Sequence, residues 1–186
     1  MAKMESAMLP LGTPAPLFAL HDVYTEQLIT LETHKGALAT VIAFICNHCP
    51  YVKHINQELP KLAQDFASKG VTFIAINAND AVQYPDDSPE NMKLVAEQLG
   101  YCFPYLYDET QEVARAYNAQ CTPDFYVFDH QLHLVYRGQL DDSRIGNDKP
   151  VTGESIRKVL NNMIDGKAID DHQKPSIGCS IKWIKS

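Results

Sequence analysis

The sequence predicts an α/β fold with a central mixed sheet and helices on both faces. Three observations predict it. Ala39 to Ile45 is a continuous apolar run rich in β-branched residues, the pattern of a strand buried on both sides. From there, apolar strands alternate with segments whose apolar residues recur at three- and four-residue steps. That alternation implies right-handed crossovers into one mostly parallel sheet. Two further strands, split only by His130-Gln131, read as a closing hairpin that adds antiparallel strands.

Each element has its own signal. Val52, Ile55, Leu59, Leu62 and Phe66 make one apolar stripe, so a helix is expected there, kinked at Pro60 and ended by Gly70. Val71 to Ile76 is the second strand. The polar loop after it contains Tyr84-Pro85-Asp86-Asp87, whose carboxylates read as loop solvation and helix-start charge. Ser88 is an N-cap signal with Pro89 at the first helical position. Met92, Val95 and Leu99 are the buried stripe of that helix, and Gly100 closes it. A short strand around Tyr105 and a short helix from Glu109 to Tyr117 follow, with Asp108 as cap. The hairpin strands are Asp124 to Asp129 and Leu132 to Arg137. The last helix runs from about Gly153 to Ile164 and buries Ile156, Val159, Leu160, Met163 and Ile164.

The 186 residues favour a single domain over 1–186, with a core of about 12–166 and a C-terminal tail over 167–186. Apolar residues are 45% of the chain, enough for a substantial core. A net charge of −7 argues against a sequence-blind grip on nucleic acid or on an anionic membrane, since both need clustered Lys and Arg. No stretch approaches the ~18 apolar residues of a membrane span, and no secretory signal pattern opens the chain. A cytoplasmic protein is expected.

Five cysteines are present: Cys46, Cys49, Cys102, Cys121 and Cys179. In a reducing compartment they are not a disulfide scaffold. Cys46-Asn47-His48-Cys49 is the informative pair. Disulfide exchange needs one thiolate to attack and a second thiol to resolve the mixed disulfide, and C-x-x-C spacing lets the two bridge. Cys46 follows a buried strand and precedes a helix, so its pKa is expected to be depressed. A charged His48 beside the thiolate would stabilise the reduced form further. A zinc site needs four ligands. The sequence has no second C-x-x-C, and His130-x-x-His133 has the wrong spacing. No metal and no other cofactor is expected. Half a metal site and inert packing remain the competing readings of the pair. The redox reading requires two sulfurs that face each other, lie near Pro123 and are reachable from solvent.

Phe44-Ile45-Cys46-Asn47-His48-Cys49-Pro50-Tyr51-Val52, the segment from Gln120 to Asp129 with Cys121-Thr122-Pro123, and Tyr136-Arg137-Gly138 resemble the thioredoxin-like redoxin family. This is the group labelled with alkyl hydroperoxide reductase and thiol-specific antioxidant proteins. Gly12 to Leu20 resembles the N-terminal segment of redoxins, and Gly178 to Trp183 resembles tails of a bacterial subgroup. The resemblance implies a thioredoxin-like fold, with Cys46 as nucleophile and Cys49 as resolving thiol. It implies a cis Thr122–Pro123 bond against the sulfurs, and a Thr122 backbone that pairs with an extended substrate segment. Asn47, His48, Thr122 and Pro123 are then active-site support. The implied activity is thiol–disulfide oxidoreduction. Its partners would be a disulfide-containing protein or small-molecule substrate and an external thiol reductant. A peroxiredoxin-like thiol peroxidase and a metal-binding thioredoxin-fold module are the alternatives.

Three departures matter. Ile45 and Asn47-His48 stand where thioredoxins carry Trp and Gly-Pro. The strand before the motif holds no buried acid, which leaves the proton acceptor for Cys49 unassigned. Ala43 stands where peroxiredoxins need Thr, which argues against peroxidase chemistry. Cys121 and Cys179 are possible extra thiols, against readings as a packing residue and as part of a docked tail. Cys102 reads as core.

Overall fold

The computed structural model describes residues 3–185. In chain order the elements are β1 (Lys3–Glu5), β2 (Ala19–His21), β3 (Leu28–Thr30), α1 (Leu31–His34), β4 (Ala39–Phe44), α2 (Pro50–Ile55), α3 (Glu58–Ala67) and β5 (Val71–Asn77). They continue as α4 (Pro89–Leu99), β6 (Tyr105–Tyr107), α5 (Glu112–Ala116), β7 (Cys121–Thr122), β8 (Asp124–Asp129), β9 (Leu134–Gly138), α6 (Glu154–Ile164) and β10 (Ile177–Ser180).

The central sheet has the order β6-β5-β4-β8-β9. β4, β5 and β6 are parallel, and β8 and β9 are antiparallel, which is the expected mixed sheet. Every residue of β4 is buried. Successive side chains of a strand point to opposite faces. Val41 and Ala43 therefore join one core with Val52, Leu59, Leu62, Met92 and Ile156, while Ile42 and Phe44 join another with Ile74, Ala114 and Tyr117. Two apolar layers explain the uninterrupted apolar run.

The helix signals hold at α4. Ser88 accepts from the Asn91 backbone N–H, Pro89 is the first helical residue, and Gly100 ends the helix in a left-handed conformation at φ 65°. The single kinked helix expected after the motif is instead two helices. The break falls at Asn56–Gln57, and Pro60 sits in the first turn of α3, where a missing N–H removes no intrahelical bond. The tail docks through Ile181 and Trp183, and it also adds a strand that the sequence did not predict. β10 lies between β1 and β7 in a second, three-stranded sheet. No helix among the described residues is long and apolar enough to cross a membrane.

Asp124 opens β8 fully buried. Ser6 Oγ donates to it at 2.7 Å and Tyr126 Oη at 3.2 Å. Burial nevertheless pushes its pKa up to about 7 from 3.8. The native state then binds a proton that the unfolded chain has released, so stability must fall as pH rises through that window. The loss should be on the order of 4 kcal/mol, from ~1.4 kcal/mol per pKa unit. Asp124→Asn should flatten the pH dependence of urea unfolding across the same window. An unchanged slope in the variant refutes the assignment.

Candidate active site

The motif sits where β4 ends and α2 begins. Cys49, not Cys46, is the N-cap of α2, with Pro50 at its first turn. Cys46 lies three residues further out, on the loop that leaves the sheet. β7 faces the pair through Thr122, whose peptide bond to Pro123 is cis. Cys46 Sγ is 3.2 Å from Thr122 Oγ1, and Cys49 Sγ is 3.4 Å from the Thr122 carbonyl oxygen. A third sulfur joins them: Cys179 Sγ of β10 is 2.9 Å from Cys49 Sγ.

This arrangement reverses the expected electrostatics. Burial pushes the Cys46 thiol well up, and its hydrogen bond to Cys49 and the nearby Asp87 carboxylate push it further. Cys49 is drawn down to about 5. The Cys46 thiol hydrogen-bonds its anion first of all, and the Cys179 thiol and the Val52 backbone N–H add to this against the penalty of burial. Cys179 is raised to about 12 by burial and by its bond to Cys49. Of the three sulfurs, the middle one is the one whose ionisation its neighbours favour. The depression expected at Cys46 falls on Cys49, because the helix begins at Cys49 and two thiols donate to it.

His48 does not stand free beside the sulfurs either. Its Nδ1 bonds Asp87 Oδ2 at 2.5 Å, its ring stacks on Tyr84 at 5.1 Å, and its Nε2 is buried without a protein partner. Asp87 is the residue that reading the sequence missed. It is fully buried, not solvating a loop. Its carboxylate also accepts from the Asn47 backbone N–H at 2.6 Å, from Asn79 Nδ2 at 2.9 Å and from Asn77 Nδ2 at 3.3 Å. Burial opposes its ionisation, but the bonds from His48, Asn79 and Asn47 outweigh that and hold the carboxyl below its usual value. Asn47 is fixed further by Tyr105 Oη, which donates to Asn47 Oδ1 at 3.0 Å, and by its own Nδ2 on Asp86 O at 2.8 Å. One signal did exist. Asn77, Asn79 and Asp87 cluster after the carboxyl end of a buried strand, where open α/β sheets place their sites.

Cys46 Sγ, a His48 ring nitrogen and an Asp87 carboxylate oxygen lie within 4.8 Å of one another. Both Asp87 oxygens already accept N–H donors, and His48 Nδ1 is bonded to one of them.

The tail covers the sulfurs. Cys46 is 2% exposed, Cys49 0% and Cys179 3%. The free access from solvent that the redox reading requires is therefore not present. The substrate-pairing edge of Thr122 is also taken. β10 pairs with β7 in antiparallel register, Cys179 opposite Thr122 and Ser180 opposite Cys121. Cys121 belongs to the opposite side of this pairing, its sulfur directed to the Pro123 carbonyl at 3.8 Å. Cys102 is exposed rather than core.

Known proteins are similar to this chain in sequence and in fold. A solved structure described as an uncharacterized conserved protein from Geobacillus kaustophilus is 63% identical, covers 100% of this chain and 98% of that one, and superposes with a TM-score of 0.98. Thiol-disulfide oxidoreductase ResA of Geobacillus thermodenitrificans is 25% identical over 126 residues, 67% of either chain. A thiol:disulfide interchange protein of the thioredoxin family from Chlorobium tepidum is 19% identical, with a TM-score of 0.64 over 85% of this chain and 99% of that one, a likeness of fold. The fold is thioredoxin-like. The family model of AhpC/TSA proteins matches residues 11–137, which carry the motif loop, the Asp87 cluster and the Thr122–Pro123 turn, and the chain belongs to the AhpC/TSA family.

Proposed function

We propose that this chain is a thiol–disulfide oxidoreductase, acting as one redoxin domain over residues 1–186, whose redox pair is Cys46 and Cys49. The observation that carries this is the shared grip of Thr122. Its hydroxyl meets one sulfur and its carbonyl the other, which holds Cys46 and Cys49 together against the cis Thr122–Pro123 turn.

In the reduced state Cys49 is the thiolate and Cys46 its hydrogen-bond donor. Transfer of that proton to Cys49 leaves Cys46 as the attacking thiolate. Cys46 breaks a substrate disulfide, forming a mixed disulfide and releasing one thiolate, which takes the proton from Cys49. The regenerated Cys49 thiolate attacks the Cys46 sulfur, expels the second substrate thiolate and closes the Cys46–Cys49 disulfide. An external thiol reductant resets the pair. The His48–Asp87 dyad supports the first step by offering a fixed imidazole beside Cys46. With β10 in place Thr122 cannot add an extended peptide and the sulfurs are covered, so exchange with a substrate disulfide requires the tail strand to lift.

Trapping tests the roles. After exposure to glutathione disulfide, Cys49→Ser should retain a stable mixed disulfide on Cys46, and Cys46→Ser should retain none. No adduct in either variant removes the reading; an adduct through Cys49 alone reverses the two roles.

A further inference from the structure

The geometry points to Cys179 as a third redox thiol, which takes Cys49 over from Cys46 so that the oxidised chain carries a Cys49–Cys179 disulfide tying the tail strand to the active-site helix. This rests on the dithiol reading above, since the Cys46–Cys49 disulfide is its starting point.

The two sulfurs are 2.9 Å apart, inside non-bonded contact and within about 1 Å of an S–S bond length of ~2.05 Å. That contact spans 130 residues of sequence, so the tail has to be held for it to exist. It is held on both sides. Lys3 pairs with Cys179, Met4 with Gly178 and Glu5 with Ile177 across β1. Ser176 Oγ donates to the Pro123 carbonyl at 2.5 Å, and the Ile181 backbone N–H donates to Gln120 O at 3.1 Å. Further along, the Lys182 N–H donates to Asn79 Oδ1 at 2.8 Å, and Gln111 Nε2 donates to Lys182 O at 2.9 Å. The first of these bonds ties the tail to the same asparagine that supports Asp87. The register then selects the cysteine. Directly opposed residues of an antiparallel pair share a face, so Cys179 stands with Thr122 over the sulfurs while Cys121, opposite Ser180, does not.

The exchange balances without any outside oxidant. The Cys179 thiolate attacks the Cys49 sulfur of the Cys46–Cys49 disulfide. The Cys49–Cys179 bond forms, the Cys46–Cys49 bond breaks, and Cys46 leaves as a thiolate that takes up the proton given up by Cys179. One disulfide is consumed and one is made. Burial holds both Cys46 and Cys179 protonated when they are free thiols, so the exchange hands one proton from Cys179 to Cys46. Cys46 is returned as a free thiol while the oxidation is stored under the tail.

The test is disulfide mapping on the full chain. Wild type, Cys46→Ser, Cys49→Ser and Cys179→Ser are each oxidised with one equivalent of diamide, quenched in acid, alkylated and digested without reduction. Wild type and Cys46→Ser should both yield a stoichiometric peptide linking Cys49 to Cys179, and Cys49→Ser should yield no internal linkage. Cys179→Ser should yield only the Cys46–Cys49 linkage. A fully alkylated Cys179 in oxidised wild type, with no internal disulfide in Cys46→Ser, overturns the inference and leaves the dithiol reading standing. Absence of the Cys46–Cys49 linkage from Cys179→Ser overturns the dithiol reading itself.

Discussion

Gly178→Val should lift the tail strand and expose the sulfurs. A Cβ at position 178 would lie 1.9 Å from the Thr122 carbonyl oxygen and 2.6 Å from its carbon. Both are backbone atoms of the strand that β10 pairs with, so no rotamer change relieves the overlap. Space, not backbone conformation, is the reason for glycine here. Overpacking of this kind costs about 1–3 kcal/mol, and if it falls on tail docking it raises the undocked population roughly 5- to 150-fold. Alkylation of Cys46 and Cys49 in the reduced protein should accelerate by that factor, because those thiols react only when uncovered. Exposed Cys102 serves as the internal reference, since its rate should not change. Rates within twofold of wild type, in a variant of unchanged circular dichroism, mean that β10 is not what covers the pair.

Local patterns carried much of the fold. The doubly buried β4 and the Ser88-Pro89 start of α4 stand where their signals put them, and the closing hairpin forms too, although its second strand begins at Leu134 rather than Leu132, after a four-residue connection. The α2–α3 break had none. The apolar stripe stays in phase across Asn56–Gln57, and the one visible breaker, Pro60, falls where a helix tolerates it. β10 and its partners were unreadable for a different reason. Strands of two to four residues show no period, and their pairing joins the two ends of the chain. At the site, Cys46 and Cys49 declared themselves by spacing, and Thr122–Pro123 by its neighbours. Asp87 did not, because its bonds to Asn47 and His48 cross about forty residues of intervening chain. The order of the two cysteine pKa values was hidden too. It depends on which residue caps α2 and on a sulfur 130 positions away.

Asp87→Asn should weaken the fold and move the titration of Cys46 downward. The carboxylate accepts four N–H donors from Asn47, His48, Asn77 and Asn79. An amide has one acceptor oxygen, and its NH2 would confront donors that have nowhere else to turn. Leaving a buried donor without its acceptor costs about 1–3 kcal/mol, and a midpoint shift in urea unfolding measures it. The electrostatic effect has the opposite benefit for one atom. Asp87 is a negative charge close to Cys46 and raises its pKa. With that charge removed, the Cys46 thiolate forms more readily, so the alkaline limb of its alkylation profile should shift to lower pH. Site-resolved mass spectrometry across a pH series reads this directly, with Cys49 distinguished by its much lower titration near 5. The rate of disulfide exchange at neutral pH then separates the two roles of Asp87. If its charge only raised the Cys46 pKa, exchange would speed up in the variant. If it chiefly fixes the His48 imidazole beside Cys46, exchange should slow even though the thiolate is easier to form. We expect slowing, because the dyad is held by a 2.5 Å bond in a buried pocket and its loss frees the ring. An alkaline limb that stays in place or moves up would show that Asp87 and the Cys46 sulfur are not coupled.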